Sequence, residues 1–133
     1  MFGVSKAFPD LRFAFRSQGI LASVVALLGL LVALRGALAF RSHKTTVNPL
    51  KPDTASSLVE SGIYRRTRNP MYVGLTLATL GFLIWLGHPL ALVMEALFPL
   101  YIQRFQIEPE ERAMKHLFGE AYHAYQTRVP RWL

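Results

Sequence analysis

Cysteine is absent from the chain, which excludes a disulfide framework and any metal held by thiolates. The glycines never fall into the G-x-G-x-x-G pattern, so there is no basis for a Rossmann-type dinucleotide turn. His43, His88, His116 and His123 show no ligand spacing with neighbouring acids, and no metal site is expected. No Ser/His/Asp arrangement for nucleophilic catalysis stands out. Acids are scarce, with 8 Asp+Glu against 15 Lys+Arg and a net charge of +7. Such an excess can mark a nucleic-acid binder. Here the cations flank long apolar runs, which is the pattern of a membrane protein, and no nucleic-acid partner is expected.

What the chain has in abundance is apolar sequence: 52% of its 133 residues are hydrophobic. Three apolar stretches cover 19–40, 70–86 and 89–105. A bilayer span needs roughly 17–25 residues. The first stretch is long enough alone, and the other two lie near the lower limit. Gly87-His88-Pro89 joins the second to the third without a cation, which predicts a tight helical hairpin. Lys and Arg concentrate in 41–68 and again from Arg104 to Arg131. Positive-inside bias places both segments, and any site they form, in the cytoplasm. The N-terminus would then face outward although it carries Lys6, Arg12 and Arg16. Either Met1 to Gln18 lies along the interface, or a preceding helix is missing. A signal peptide is the competing reading of this region. No small-x-small cleavage site precedes a soluble domain, so a retained helix is expected.

The tail is amphipathic. Glu108-Pro109-Glu110-Glu111 has the form of a helix start, with proline early and acids in the first turn. Met114, Leu117, Phe118, Ala121, Tyr122 and Tyr125 then recur at helical spacing. Gly119 would weaken this helix by about 1 kcal/mol relative to Ala. The expectation is one all-α, integral-membrane domain, 1–133. It has about three transmembrane helices, a cytoplasmic loop over 41–69, and an amphipathic cytoplasmic helix over 108–126.

Chemistry concentrates in two polar blocks. The first is Gly62-Ile-Tyr-Arg-Arg-Thr-Arg-Asn-Pro-Met-Tyr-Val-Gly74. Arg65, Arg66 and Arg68 have a plain topological role at the phosphate layer, and Tyr64 and Tyr72 are common interface anchors. Pro70, however, opens a helix whose first-turn N–H groups are free for a ligand. In the second block, Glu110 and Glu111 favour the helix dipole by about 0.3–1 kcal/mol each, or bind a ligand amine or ribose. Arg104 snorkels, or clamps a carboxylate. Glu95, inside the third apolar stretch, is a functional candidate by default, but its position favours a structural or helix-partner role.

These residues together resemble the isoprenylcysteine carboxyl methyltransferase family, within the wider group of phospholipid methyltransferases. The family pattern G-x-Y-x-x-x-R-H-P-x-Y-x-G is matched by Gly62, Tyr64, Arg68, Pro70, Tyr72 and Gly74. After the hairpin come Arg104, Glu110, Glu111, Phe118, Gly119, Tyr122, Tyr125, Val129 and Pro130. The match covers roughly Thr45 to Leu133, and two blocks in order at hairpin spacing are far more specific than either alone. Asn69 stands where the family has His, which removes a titratable group. The chain is also short at its N-terminus for such a family.

The resemblance implies an integral-membrane methyltransferase that uses S-adenosylmethionine without a Rossmann domain. It implies a cofactor site at Tyr64, Asn69, Pro70, Met71, Tyr72, Glu110 and Glu111, with Ser56 to Val59 as a further wall. Arg104 is the candidate for orienting the acceptor, although Gln106 competes for that register. The acceptor would be a lipophilic molecule or lipid in the membrane, with a carboxylate or thiol as the methylated group. Phospholipid N-methylation and a non-catalytic scaffold subunit are the alternatives. Oligomeric state is not legible.

Overall fold

The computed structural model describes residues 12–43 and 57–133. The expectations placed on Met1–Leu11, on the middle of the 41–69 loop and on Ser56 lie outside the described residues. Helices form all the regular structure among the described residues, and no strand is present there.

Helix α1, Gln18–Ser42, has 25 residues and is therefore about 37 Å long. It is apolar on every side, and Ile20, Leu27, Leu30 and Leu31 are each more than half exposed. A helix of this composition with this exposure is matched to lipid rather than to water. Its buried residues are small ones, Ala22, Gly29 and Gly36. With Ala26 and Ala33 they form a stripe at alternating spacings of four and three.

The stripe faces α2, Pro70–Leu86. A Cβ placed on Gly29 would lie 2.5 Å from the Gly74 carbonyl oxygen, and one placed on Gly81 would lie 2.5 Å from the Ala26 nitrogen. The two backbones therefore touch, as small-residue seams allow in an apolar solvent that provides no hydrophobic drive.

Local chemistry sets the ends of α2. Pro70 occupies its first turn, and Gly87 closes it at φ 63, the left-handed conformation that glycine takes without a steric penalty. Pro89 then starts α3, Pro89–Ile102, after the fully buried His88. The chain before α1 covers this turn. Phe13 donates to the Gly87 carbonyl at 2.7 Å. Gln18 Nε2 donates to Ile84 and Trp85 at 2.7 and 3.2 Å, and Arg12 Nε donates to Leu86 at 3.3 Å.

Glu95 of α3 is buried and accepts a 2.8 Å hydrogen bond from Thr79 of α2. It thus joins the two helices, in keeping with a structural role. Pro99 removes a backbone donor within α3. A π turn follows over Gln103–Ile107 and leads without interruption into α4, Glu108–Phe118.

The single helix expected over 108–126 is divided at Gly119. Its backbone at φ 53, ψ −122 is one that side chains with a Cβ rarely adopt. The chain restarts as α5, Glu120–Arg128. The break lets Tyr122 and Tyr125 turn inward, where they are buried with Val59, Tyr64 and Val129. Among the described residues, two helical stretches are long and apolar enough to cross a membrane: α1, and the continuous run Pro89–Phe118. At 17 residues, α2 is shorter.

Candidate functional site

The antiparallel helices bring the end of α1, the start of α2 and the segment after α3 to one end of the bundle. A cleft opens there, with about 550 Å³ of empty space that includes its open mouth. Phe40, Leu58, Val59, Met71 and Met114 form its apolar wall, and Tyr64, Arg68, Asn69, Tyr72, Glu110 and Glu111 its polar one.

Tyr64 is placed by a 3-10 turn, Gly62–Arg65. Its ring meets Phe40 edge-on at 5.3 Å, and its carbonyl accepts a 2.8 Å bond from the Tyr125 hydroxyl. Burial pushes the Tyr64 phenol above its ordinary range, and Tyr125 and Glu110 add to the effect. Burial does the same to Tyr122 and Tyr125. All three are therefore neutral hydroxyls at physiological pH.

Across the cleft, Tyr72 donates to Glu110 Oε1 at 2.5 Å, and Gln106 Nε2 donates to the same oxygen at 2.9 Å. Burial raises the Glu110 carboxyl above the usual range. The hydrogen bonds from Gln106 and Tyr72 oppose that rise, and Glu111 adds to it. The π turn matters here, as such turns often do at sites. Gln103, Gln106 and Glu110 follow one another at helical spacing along the inner face.

Glu111 is held differently. Arg131 grips both of its oxygens, at 3.1 and 2.7 Å, and Arg68 Nη2 lies 3.0 Å from Oε1. This contact with Glu111 holds the Arg131 guanidinium above its ordinary pKa. The C-terminal segment is tied to the same place. Arg68 N–H donates to the Pro130 carbonyl at 3.0 Å. Thr67 Oγ1 and Asn69 Nδ2 donate to the Arg131 carbonyl at 3.1 and 2.9 Å, and Trp132 Nε1 donates to Gln103 at 3.0 Å.

Of the residues expected at the site, Tyr64, Asn69, Met71, Tyr72, Glu110 and Glu111 all line the cleft. Pro70 is fully buried instead and packs toward Gly36 of α1. Arg104 is not brought there either. The π turn leaves it on the outer face, 71% exposed and paired with Glu108 at 2.8 Å. Arg68, Thr67, Gln106 and Arg131 were not singled out for the cofactor site by their pattern. The fold assembles them.

A model of the phospholipid methyltransferase family matches residues 17–121. The chain belongs to the phospholipid methyltransferase family. Among curated proteins, mouse protein-S-isoprenylcysteine O-methyltransferase is 40% identical over 83 residues, 62% of this chain and 29% of the mouse protein. The Xenopus laevis enzyme of the same name is 29% identical over 126 residues, 95% of this chain and 43% of the frog protein. The chain thus spans less than half the length of these two relatives. An uncharacterized Haemophilus influenzae protein is 41% identical over 63 residues, 47% of this chain and the whole of that protein. No solved structure matches the chain.

Proposed function

We propose that the chain is an integral-membrane methyltransferase that uses S-adenosylmethionine to methylate a lipophilic, membrane-embedded acceptor at a carboxylate. One observation carries the reading. The Tyr72–Glu110 hydrogen bond joins two blocks 38 residues apart into one cleft at the end of a lipid-matched bundle. Family membership and the names of the relatives support the reaction class. In this reading α1, α2 and α3 cross the bilayer. The cleft faces the cytoplasm, because positive-inside bias assigns the cation-rich stretches 41–68 and 104–131 to that side.

The residues present suit such a cofactor, since an acid and aromatic hydroxyls stand beside an apolar wall. Glu110 and Tyr72 would hold its cationic amino-acid end, and Tyr64, Met71 and Met114 its nucleoside. Asn69 would line the same wall, with its amide nitrogen bonded to Arg131. When bound, the cofactor supplies a methyl group already made electrophilic by its sulfonium. The chain's own contribution is then positioning, which can account for much of the rate. A carboxylate acceptor is ionised near neutral pH, so it needs no base, and no histidine is among the described residues that line the cleft. The acceptor's apolar part would remain among the exposed faces of the helices.

Calorimetric titration of the purified chain in detergent with S-adenosylhomocysteine tests the reading. Saturable binding is expected, followed by transfer of label from the cofactor to a lipid-soluble, base-labile ester. Absence of binding at millimolar ligand would end the enzyme reading in favour of a scaffold. A base-stable labelled phospholipid would instead point to N-methylation.

A further inference from the structure

Arg68 lines the cleft with a side chain only 10% exposed. One terminal nitrogen meets Glu111 at 3.0 Å. Its Nε–H is buried and has no acceptor. Buried donors are almost always satisfied in folded proteins, so one left over in a cleft wall calls for a partner.

Charge gives an independent reason. Arg68 and Arg131 share the single carboxylate of Glu111, which leaves this cluster one positive charge in excess. Two groups could have cancelled it. Glu111 already serves both guanidiniums, with Arg131 on both oxygens and Arg68 Nη2 on Oε1, and its single charge balances only one of them. Glu110 is next in sequence, but its Oε1 takes Tyr72 and Gln106, and no ion pair joins it to Arg68 among the described residues. Excess charge at a site this buried is costly unless a counter-ion arrives. A guanidinium with a free N–H favours an oxyanion of planar geometry. Arg65 and Arg66, by contrast, are exposed to solvent and carry no such demand.

We propose that Arg68 is the carboxylate receptor of the cleft and binds a ligand carboxylate through its unpartnered Nε–H. The identity of the ligand rests on the methyltransferase reading above. Two carboxylates are available in that reaction: the one on the amino-acid end of the cofactor and the one on the acceptor. The first is expected. The same wall offers a carboxylate, Glu110, and a cation, Arg68, which together match an ammonium and a carboxylate carried on one carbon.

The test is a set of calorimetric titrations of the full chain in detergent. The probes are S-adenosylhomocysteine, its decarboxylated analogue, and 5′-methylthioadenosine, which lacks the whole amino-acid end. Wild type should prefer S-adenosylhomocysteine to the decarboxylated analogue by roughly 10- to 100-fold, the range for a hydrogen bond to a charged group. Arg68→Gln should erase that preference and leave the 5′-methylthioadenosine affinity unchanged. That unchanged affinity also serves as the control for folding.

Should Arg68→Gln fail to fold, Glu111→Gln keeps an acceptor oxygen for Arg131 and releases the second nitrogen of Arg68. The preference should then be retained or widened, and its loss would overturn the proposal. A parallel pair, an N-acetylated S-prenylcysteine and its carboxamide, is titrated with S-adenosylhomocysteine present. If Arg68→Gln erases discrimination within this pair instead, the carboxylate received is the acceptor's. Equal binding within both pairs by wild type, or preferences untouched by Arg68→Gln, would overturn the proposal while leaving the methyltransferase reading intact. If none of the three nucleosides binds, the reading and the proposal fall together.

Discussion

The two ends of the bundle solve the same problem in opposite ways. At each end helices stop, and carbonyl and amide groups lose their helical partners. At the Gly87 end the chain closes these groups with its own residues. Phe13, Arg12 and Gln18 reach across to the carbonyls of Ile84, Trp85, Leu86 and Gly87. At the Tyr64 end the chain brings a larger polar inventory and does not use all of it. Arg68 keeps a buried N–H without an acceptor, and two guanidiniums share one carboxylate. The first end is a cap, and the unused donor of the second is what the proposed ligand would take up. Exposed charge alone would not have separated the two ends, since both carry arginines.

Three substitutions sharpen or break this contrast. The largest effect is expected for Glu111→Ala. It leaves Arg68 and Arg131 facing each other without a counter-ion and loosens the Pro130–Trp132 segment. A loss of about 3 kcal/mol in stability is expected, the lower end for breaking a buried ion pair, because Arg131 is 28% exposed. Thermal unfolding in detergent measures it. An unchanged midpoint with weakened nucleoside binding would make Glu111 a ligand contact rather than an internal clamp.

Glu110→Gln is expected to act on binding rather than on stability. It preserves the bond from Tyr72 but removes the charge, and S-adenosylhomocysteine affinity should drop about tenfold, within the range for a charge-assisted bond. Retained affinity would remove Glu110 from the site. The smallest effect belongs to the other end. Gln18→Ala deprives two carbonyls of a donor and should cost about 1 kcal/mol with no change in nucleoside affinity. A change in affinity would show that the two ends are coupled and would break the contrast.

The helices themselves were largely legible. Long apolar runs have few alternatives in a chain with so few acids, and Pro70 and Gly87 punctuate α2 through φ preferences that act within a residue or two. Gly119 was visible as a weak point, but its propensity cost did not reveal that the helix would break there. The break depends on Tyr122 and Tyr125 finding a core with Val59 and Tyr64, partners far away in sequence. Arg104 was a candidate for orienting the acceptor because it ends the third apolar stretch and follows the family's order of residues. In the structure it lies in the π turn over Gln103–Ile107, exposed and paired with Glu108 away from the cleft. Nothing in the pattern distinguished Glu110 from Glu111, adjacent acids with the same local preferences.

From sequence alone came the class of the molecule: apolar helices punctuated by proline and glycine, with two polar blocks separated by a hairpin. These properties are local, because hydrophobic periodicity and backbone dihedral preferences operate over a few residues. Tertiary structure decided the division of labour within the polar blocks. Which carboxylate is clamped, which faces the cleft and which guanidinium keeps a donor in reserve depend on Arg131, Gln106 and Tyr72 arriving from different elements. Hydrogen-bond satisfaction and charge balance are properties of that assembled neighbourhood, and no segment carries them by itself.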